Sequence, residues 1–393
     1  MNEASSLFID MGYSQSIKHG QSICGDAIAF RRMPDEDRFI AVLSDGLGSG
    51  VKANILASMT TTMALRFIAE DREILHSAEI IMDALPVCQV RKISYATFTI
   101  IDTRLNGRTR VIEMGNPEFL LLRDGRRVEI PARELESPKH EGRTMLIYDF
   151  EVLPHDRLIF FSDGISQAGL GTDKYPLGWR VGGCLEYVER IVGATPGISS
   201  HDLANSILRE AVAKEPRLLA GDDMTCACIY FRHPRKMMLF TGPPYDRERD
   251  AECADMVKSF AGAKVICGGT SAEIISRELG RKLTMDLRTV GKDLPPISSM
   301  EGVDLITEGI ITLTKTAQYL ENGEGVNNPD PAGQLVNLLR ANDIIELVVG
   351  TRINEAHQDP NLPVDLEIRR NIVKRIANAL RDKYMKEVRI RFV

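Results

Sequence analysis

Phe39-Ile40-Ala41-Val42-Leu43 runs without a polar residue into Ser44-Asp45-Gly46-Leu47-Gly48-Ser49-Gly50. An apolar run of that length that stops at a turn residue predicts a core strand. The glycines that follow predict a loop, and the residues after Gly50 a helix. The tripeptide recurs at the end of a second apolar run, where Leu158-Ile159-Phe160-Phe161 leads into Ser162-Asp163-Gly164-Ile165. Two carboxylates held rigidly at strand ends are a way to grip a hard divalent cation. A single Asp-Gly is ordinary turn chemistry, so the reading depends on further acids.

Two more acidic loci join the pair. Asp26, in Cys24-Gly25-Asp26, precedes the apolar stretch Ala27-Ile28-Ala29-Phe30. Gly221-Asp222-Asp223-Met224-Thr225 runs into a strand-like segment, Cys226-Ala227-Cys228-Ile229-Tyr230-Phe231. Each locus sits at a predicted strand boundary with a glycine beside it or one residue away. Together they form an oxygen-ligand set suited to Mg²⁺ or Mn²⁺.

These motifs, in this order, resemble the metal-dependent protein phosphatase superfamily (PPM, or 2C-type), and within it the SpoIIE-like branch. That branch carries Gly-Asp, then Ser-Asp-Gly-x-Gly-x-Gly opening a helix, then Ser-Asp-Gly-Ile/Val, then Asp-Asp-Met-Thr before a final strand. The matching residues are Gly25-Asp26, Ser44–Gly50, Ser162–Ile165 and Asp222–Thr225, with a lesser match at Met114-Gly115-Asn116-Pro117. The resemblance covers about residues 8–232 and implies a β-sandwich flanked by helices. It implies two metal ions, Mn²⁺ or Mg²⁺, with Asp45 bridging them and the Gly46 carbonyl as a ligand. Asp26, Asp163 and the Asp222-Asp223 pair complete the shell, Asp222 being the preferred terminal ligand. The implied catalytic residues are Asp26, Asp45 and Asp163, acting through an activated water, without a covalent intermediate. The implied substrate is phosphoserine or phosphothreonine on a bacterial signalling protein, such as an anti-sigma-factor antagonist. A homodimer through the helix after Gly50 is a further expectation from relatives.

The sequence departs from the wider superfamily before Gly25. Members with a phosphate-holding Arg and an acid His place them there, whereas this chain has Lys18-His19-Gly20-Gln21-Ser22-Ile23. Without a placed general acid the leaving group costs about 10²–10⁴-fold in rate, so a slow enzyme is expected.

Composition narrows the alternatives. The chain has 393 residues, 44% of them apolar, enough for two or three domains with buried cores. A formal net charge of −6 argues against nucleic acid as the main partner. No apolar stretch approaches the ~20 residues of a membrane span, and Met1–Ser6 lacks the features of a signal peptide. Seven scattered cysteines, an odd number, are read as reduced thiols. Cys226 and Cys228 share a strand face and are read as packing. These features predict a cytoplasmic protein with no membrane partner. A haloacid-dehalogenase-type phosphatase requires Asp-x-Asp, and Leu43 and Phe161 stand where its first acid belongs. The runner-up is a catalytically weak or inactive regulatory module that keeps the fold and signals by binding.

The expected organisation is α+β for residues 1–233, followed by a doubly wound α/β domain over 236–393. In the first part, apolar residues Val51, Ile55, Met59, Met63 and Phe67 predict a helical stripe. A second helix is predicted from Glu73 to Ala84, ending at Pro86. Strands are expected at Ala96–Ile101, Thr109–Glu113, Phe119–Leu122 and Thr144–Tyr148, with hairpin turns at Asn106-Gly107 and Asp124-Gly125. The Gly-rich piece from Ala168 to Gly183 holds the only tryptophan, Trp179. It is read either as a substrate-facing loop or as an excursion packed over Trp179, with a helix following over Ser200–Ala213.

Past Pro234, strand-like runs at Met237–Phe240, Lys264–Cys267, Leu283–Leu287, Asp304–Thr307, Ile344–Val349 and Val388–Phe392 alternate with helical patterns. That alternation predicts a mostly parallel sheet. Its loop Gly268-Gly269-Thr270-Ser271, before a helix, is a candidate anion or ligand site, set against a structural reading with Thr270 or Ser271 as N-cap. The dinucleotide spacing Gly-x-Gly-x-x-Gly is absent. A sensing domain of this kind is expected to bias the helix after Gly50.

Overall fold

The computed structural model describes residues 7–84, 97–140, 144–285, 297–326, 328–352, 362–384 and 386–393. They divide into two compact units with the boundary between His233 and Pro234.

The first unit contains β1 (Phe8–Ser16), β2 (Ala27–Met33), β3 (Arg38–Ser44), α1 (Gly50–Ala69), α2 (Ile74–Ala84), β4 (Phe98–Arg104), β5 (Arg108–Met114) and β6 (Leu120–Arg123). It continues with β7 (Arg126–Val128), β8 (Arg133–Glu136), β9 (Thr144–Glu151), β10 (Arg157–Phe161), α3 (Asp163–Ser166), α4 (Arg180–Ala194), α5 (Ser200–Lys214) and β11 (Met224–Arg232). One antiparallel sheet has the order β1-β11-β10-β6-β7 and the other β2-β3-β4-β5-β9-β8. Alternate residues divide the burial of each sheet. Ile159, Phe161, Cys226 and Cys228 face α4 and α5, and Ile40, Val42, Ile100 and Ile112 face α1 and α2. Their neighbours Leu158, Phe160, Ile229, Phe231, Phe39, Ala41, Leu43, Ile101 and Val111 are buried as well, so the remaining faces meet as a sandwich. Tyr13 of β1 and Phe30 of β2, with ring centroids 6.3 Å apart, bridge the two sheets. This is a β-sandwich flanked by helices, the architecture that the resemblance implies.

The second unit contains β12 (Lys236–Thr241), α6 (Asp250–Ser259), β13 (Ala263–Cys267), α7 (Gly269–Leu279), β14 (Thr284–Met285), β15 (Ser298–Met300) and β16 (Val303–Thr307). Then come α8 (Ile310–Asn322), α9 (Pro331–Ala341), β17 (Ile344–Val349), α10 (Leu362–Tyr384) and β18 (Glu387–Phe392). Its sheet order is β14-β15-β16-β13-β12-β17-β18. β16, β13, β12, β17 and β18 are parallel neighbours, and β14 and β15 add an antiparallel edge. One face packs on α8, α9 and α10 and the other on α6 and α7, which makes the unit doubly wound.

One expectation is corrected. The stripe Val51, Ile55, Met59, Met63 and Phe67 is not the core face of α1. Val51, Ile55 and Met59 are 61%, 53% and 43% exposed, while Met63 and Phe67 only flank the core. The helix buries Ala53, Leu56, Ala57, Thr60, Ala64 and Ile68 instead. Small side chains let α1 lie close on β2 and β3, which turns the bulkier stripe outward. Trp179 is packed beneath its glycine-rich stretch, in the cluster with Cys184 and Ile207. Ala96, Pro86, Leu287 and Met1–Ser6, which carried sequence expectations, lie outside the described residues.

Candidate active site

Strand pairing brings the four acidic loci to matching ends of the two sheets. In the β2–β3 pair Ala27 lies opposite Ser44, so Asp26 and Asp45 leave adjacent strand ends. In the β10–β11 pair Phe161 lies opposite Cys226, so Asp163 and the Asp222-Asp223 pair flank one end of the other sheet. β3 and β10 are buried along their whole length, and each fully buried aromatic or branched side chain contributes ~1.5–3 kcal/mol. The carboxylates therefore stand on fixed supports.

Close contacts join the two sheet ends. Thr225 Oγ1 donates to Asp26 Oδ2 at 2.7 Å, and Ser162 Oγ accepts from Thr225 N at 2.9 Å. A Cβ on Gly25 would lie 2.7 Å from Asp223 Oδ2, and one on Gly164 would lie 2.1 Å from the Asp223 carbonyl oxygen. A Cβ on Gly46 would lie 2.2 Å from the Ala53 carbonyl oxygen of α1 and 2.7 Å from that of Gly25. The glycines beside the aspartates thus permit the backbones to converge. Thr97 Oγ1 brackets Asp45, accepting from its N–H at 3.0 Å and donating to its carbonyl at 2.9 Å. Gln167 Nε2 donates to Asp163 Oδ2 at 2.9 Å.

The electrostatics record the crowding of like charge. Burial pushes the Asp45 carboxyl up to about 9, with the charges of Asp26 and Asp163 adding to it. Burial also raises Asp26 to about 6; hydrogen bonds from Thr225 and Ser162 oppose the rise, and the Asp223 and Asp163 charges reinforce it. Asp163 is raised by burial, against the hydrogen bond it shares with Asp45, and by the charge of Asp222. Desolvation and like-charge repulsion both disfavour the ionised forms, and a bound cation reverses both effects.

The site is tied to the start of α1. Asn54 Nδ2 donates to the Cys24 carbonyl at 2.8 Å, and Gly46 is pressed on Ala53 as above. Gly50, with φ at 71°, opens the helix beside Gln21, whose Oε1 would lie 2.5 Å from a Cβ there. Displacing the first turns of α1 would therefore disturb the loop that carries Asp45.

The family model for Stage II sporulation protein E (SpoIIE) matches residues 35–232. The chain belongs to the SpoIIE family. The matched residues include Asp45, Asp163, Asp222 and Asp223 and begin after Asp26. Among solved structures, the PP2C phosphatase domain with a fragment of the regulatory domain of SpoIIE from Bacillus subtilis is similar at 18% identity and a TM-score of 0.48, over 58% of this chain and 64% of that one. The RsbU and RsbW domains of a Mycobacterium tuberculosis protein are similar at 17% identity and a TM-score of 0.48, over 65% of this chain and 70% of theirs. The catalytic domain of the serine/threonine phosphatase PstP, in complex with two manganese ions, is similar at 16% identity and a TM-score of 0.38, over 58% and 100%. No curated protein matches the chain.

In this SpoIIE family member the donor set fits a divalent cation by its chemistry. Asp26 Oδ1 and Asp223 Oδ2 are buried carboxylate oxygens with no hydrogen-bond partner, which is costly unless a cation completes them. Among the described residues no three His, Cys, Asp or Glu side chains are already drawn into a closed ligand cluster. The fit therefore rests on the unpartnered oxygens and the carboxylate chemistry.

Asp222 and Asp223 divide their contacts. Asp223 Oδ1 accepts from Lys18 N at 3.0 Å. Asp222 Oδ1 accepts from Lys18 Nζ at 3.1 Å, and its charge acts on both Asp45 and Asp163. Sequence reasoning missed Thr225 as a partner of Asp26. The only signal for Thr225 was its place in Asp222–Thr225. The loop Gly268–Ser271 belongs to the second unit.

Proposed function

We propose that the first unit is a protein serine/threonine phosphatase that hydrolyses phosphoserine or phosphothreonine with two Mn²⁺ or Mg²⁺ ions. The observation that carries the reading is the pair of unpartnered buried oxygens, Asp26 Oδ1 and Asp223 Oδ2, among carboxyls that burial and one another's charge hold above their ordinary range. Asp26, Asp45, the Gly46 carbonyl, Asp163 and the Asp222-Asp223 pair would hold the ions, Asp223 through its unpartnered Oδ2. A pair of divalent ions supplies an activated water and cancels charge on the phosphoryl oxygens. Thr225 and Gln167 orient Asp26 and Asp163, Thr97 fixes the Asp45 backbone, and Lys18 offers a cation to the substrate phosphate. The lack of a placed acid His makes turnover slow.

The substrate class is a phosphorylated signalling protein, an anti-sigma-factor antagonist being the type the family suggests. Control falls to α1, because its first turns press on the Asp45 loop, with the second unit as its regulator. Unchanged activity and effector response after removal of residues 236–393 would refute that regulation. The exposed Val51, Ile55 and Met59 supply an apolar surface for pairing two copies through α1. A cytoplasmic setting is part of the same reading, and among the described residues no helix is long and apolar enough to cross a membrane.

The test is hydrolysis of p-nitrophenyl phosphate by the full chain with Mn²⁺, with Mg²⁺ and with EDTA. Turnover with either ion, abolished by EDTA and by Asp163→Asn, is expected. Metal-independent turnover contradicts the assignment, and inactivity with every ion favours a binding module.

A further inference from the structure

Two of the buried side-chain atoms without hydrogen-bond partners, Asp26 Oδ1 and Asp223 Oδ2, belong to the acidic site of the first unit, and others gather in the second unit. In the second unit, among the described residues, they are Thr241 Oγ1, Asp250 Oδ1, Ser271 Oγ, Thr312 Oγ1 and Arg352 Nη1. Thr241 ends β12, Asp250 starts α6, Ser271 and Thr312 lie in the first turns of α7 and α8, and Arg352 follows β17. All five belong to the carboxyl edge of the parallel sheet. Thr241, Ser271 and Thr312 are at most 1% exposed, and Asp250 is 4% exposed. A buried hydroxyl or carboxylate oxygen left unpaired is destabilising, so finding them all at one edge calls for a partner there.

The topology says where that partner sits. Within the parallel strands the spatial order is β16-β13-β12-β17-β18, so the chain moves outward from β12 to one side and then returns to β17 on its other side. Ligands of open α/β sheets bind beyond the strand ends at such a reversal. The register sets Thr241 level with Cys267 and Val349, and Cys267 level with Thr307.

Chemistry names the ligand class. Helix α7 starts from Gly268, a cap with no side-chain hydrogen bond, so its first-turn N–H groups have no intrahelical acceptor. Ser271 Oγ points back at that turn, 3.4 Å from where a Cβ on Gly268 would be. N–H groups and a hydroxyl at a helix N-terminus suit a phosphate. The corresponding turn of α8 is already capped, Ile311 N donating to Glu308 Oε2 at 3.2 Å, so the anion belongs on α7. Around the same edge, Arg352 N donates to the Pro243 carbonyl at 3.2 Å, which sets Arg352 against the loop leaving Thr241. Its Nη1 is 4.0 Å from Asp250 Oδ1, too far for a hydrogen bond, while Asp250 Oδ2 is held by Arg277 at 2.6 Å. Asp250 Oδ1, ion-paired with Arg352 but accepting no hydrogen bond, suits a ligand hydroxyl or amino group.

We propose that the carboxyl edge of the second unit binds a phosphate-bearing small molecule of the nucleotide class. Its phosphate lies on Gly268–Ser271 with Thr241 nearby, and a hydroxyl or amino group of the same molecule meets Asp250. The site lies within the second unit and does not depend on the phosphatase reading.

The test is calorimetric titration of the full chain with AMP, ATP and inorganic phosphate in EDTA, so that no divalent ion offers phosphate a place at the acidic cluster. AMP or ATP is expected to bind, and inorganic phosphate more weakly because it cannot reach Asp250. Ser271→Ala and Thr241→Val are each expected to weaken the nucleotide about tenfold. Both variants remove an unpaired hydroxyl, so the unliganded melting temperature should hold or rise, which separates lost binding from lost folding. Absence of binding by all three probes up to about 1 mM, or affinity unchanged in both variants, overturns the proposal.

Discussion

Thr225 Oγ1 donates a 2.7 Å hydrogen bond to Asp26 Oδ2, and the other oxygen of that carboxylate is buried without a partner. Threonine from the five-stranded sheet thereby aims an aspartate at the end of the six-stranded one. Thr225→Val keeps the shape of the side chain and removes the donor. Mn²⁺ affinity should fall about 10–100-fold, as when other outer partners of metal ligands are lost. Titrating activity against Mn²⁺ reads this directly; an unchanged midpoint would mean that Thr225 serves packing alone.

Lys18 is the one basic side chain hydrogen-bonded to the acidic pair, 3.1 Å from Asp222 among the described contacts. If it meets the substrate phosphate, Lys18→Met should raise KM for a phosphoserine peptide about tenfold, the worth of a charged hydrogen bond. The rate at saturation should change little. A fall in kcat with KM unchanged would instead assign Lys18 to holding Asp222.

Much of this arrangement was legible because local signals agreed with the global fold. The run Phe39–Leu43 and the run Leu158–Phe161 are strands in the structure, within β3 and β10, because fully buried strands read as unbroken apolar segments. Asp124-Gly125 is a hairpin turn, with Asp124 and Gly125 both at positive φ. What failed did so for physical reasons. The stripe on α1 follows the helical spacing of Val51, Ile55, Met59, Met63 and Phe67, whereas close packing on β2 and β3 selects Ala53, Ala57 and Ala64. Helix α4 was hidden by Gly182-Gly183, which are poor helix formers. Gly183 is needed there, since a Cβ would come within 2.6 Å of the Trp179 ring. Neither the sheet-to-sheet bond from Thr225 to Asp26 nor the strand order around β12 leaves a local trace, because both depend on residues far apart in the chain.

Glu113 supplies a pH-dependent contribution to stability. Burial raises its carboxyl from 4.5 to about 8, although its Oε1 accepts from Phe119 N at 3.0 Å. Between those values the folded chain keeps a proton that the unfolded chain has released. Stability therefore falls as pH rises through this window and levels off above it. Glu113→Gln should flatten that part of the profile. Urea midpoints at pH 5 and pH 8 check it: the wild type should lose more than the variant, and equal losses would contradict the account.

The central claim is that the buried carboxylates work by holding divalent cations for phosphoester hydrolysis. It is tested most directly by initial rates of phosphate release from a phosphoserine peptide across a Mn²⁺ titration, for the full chain and for Asp45→Asn. The account predicts saturable, Mn²⁺-dependent release by the wild type and loss of that release in Asp45→Asn, with the variant still folded. Equal release by the two proteins would contradict it.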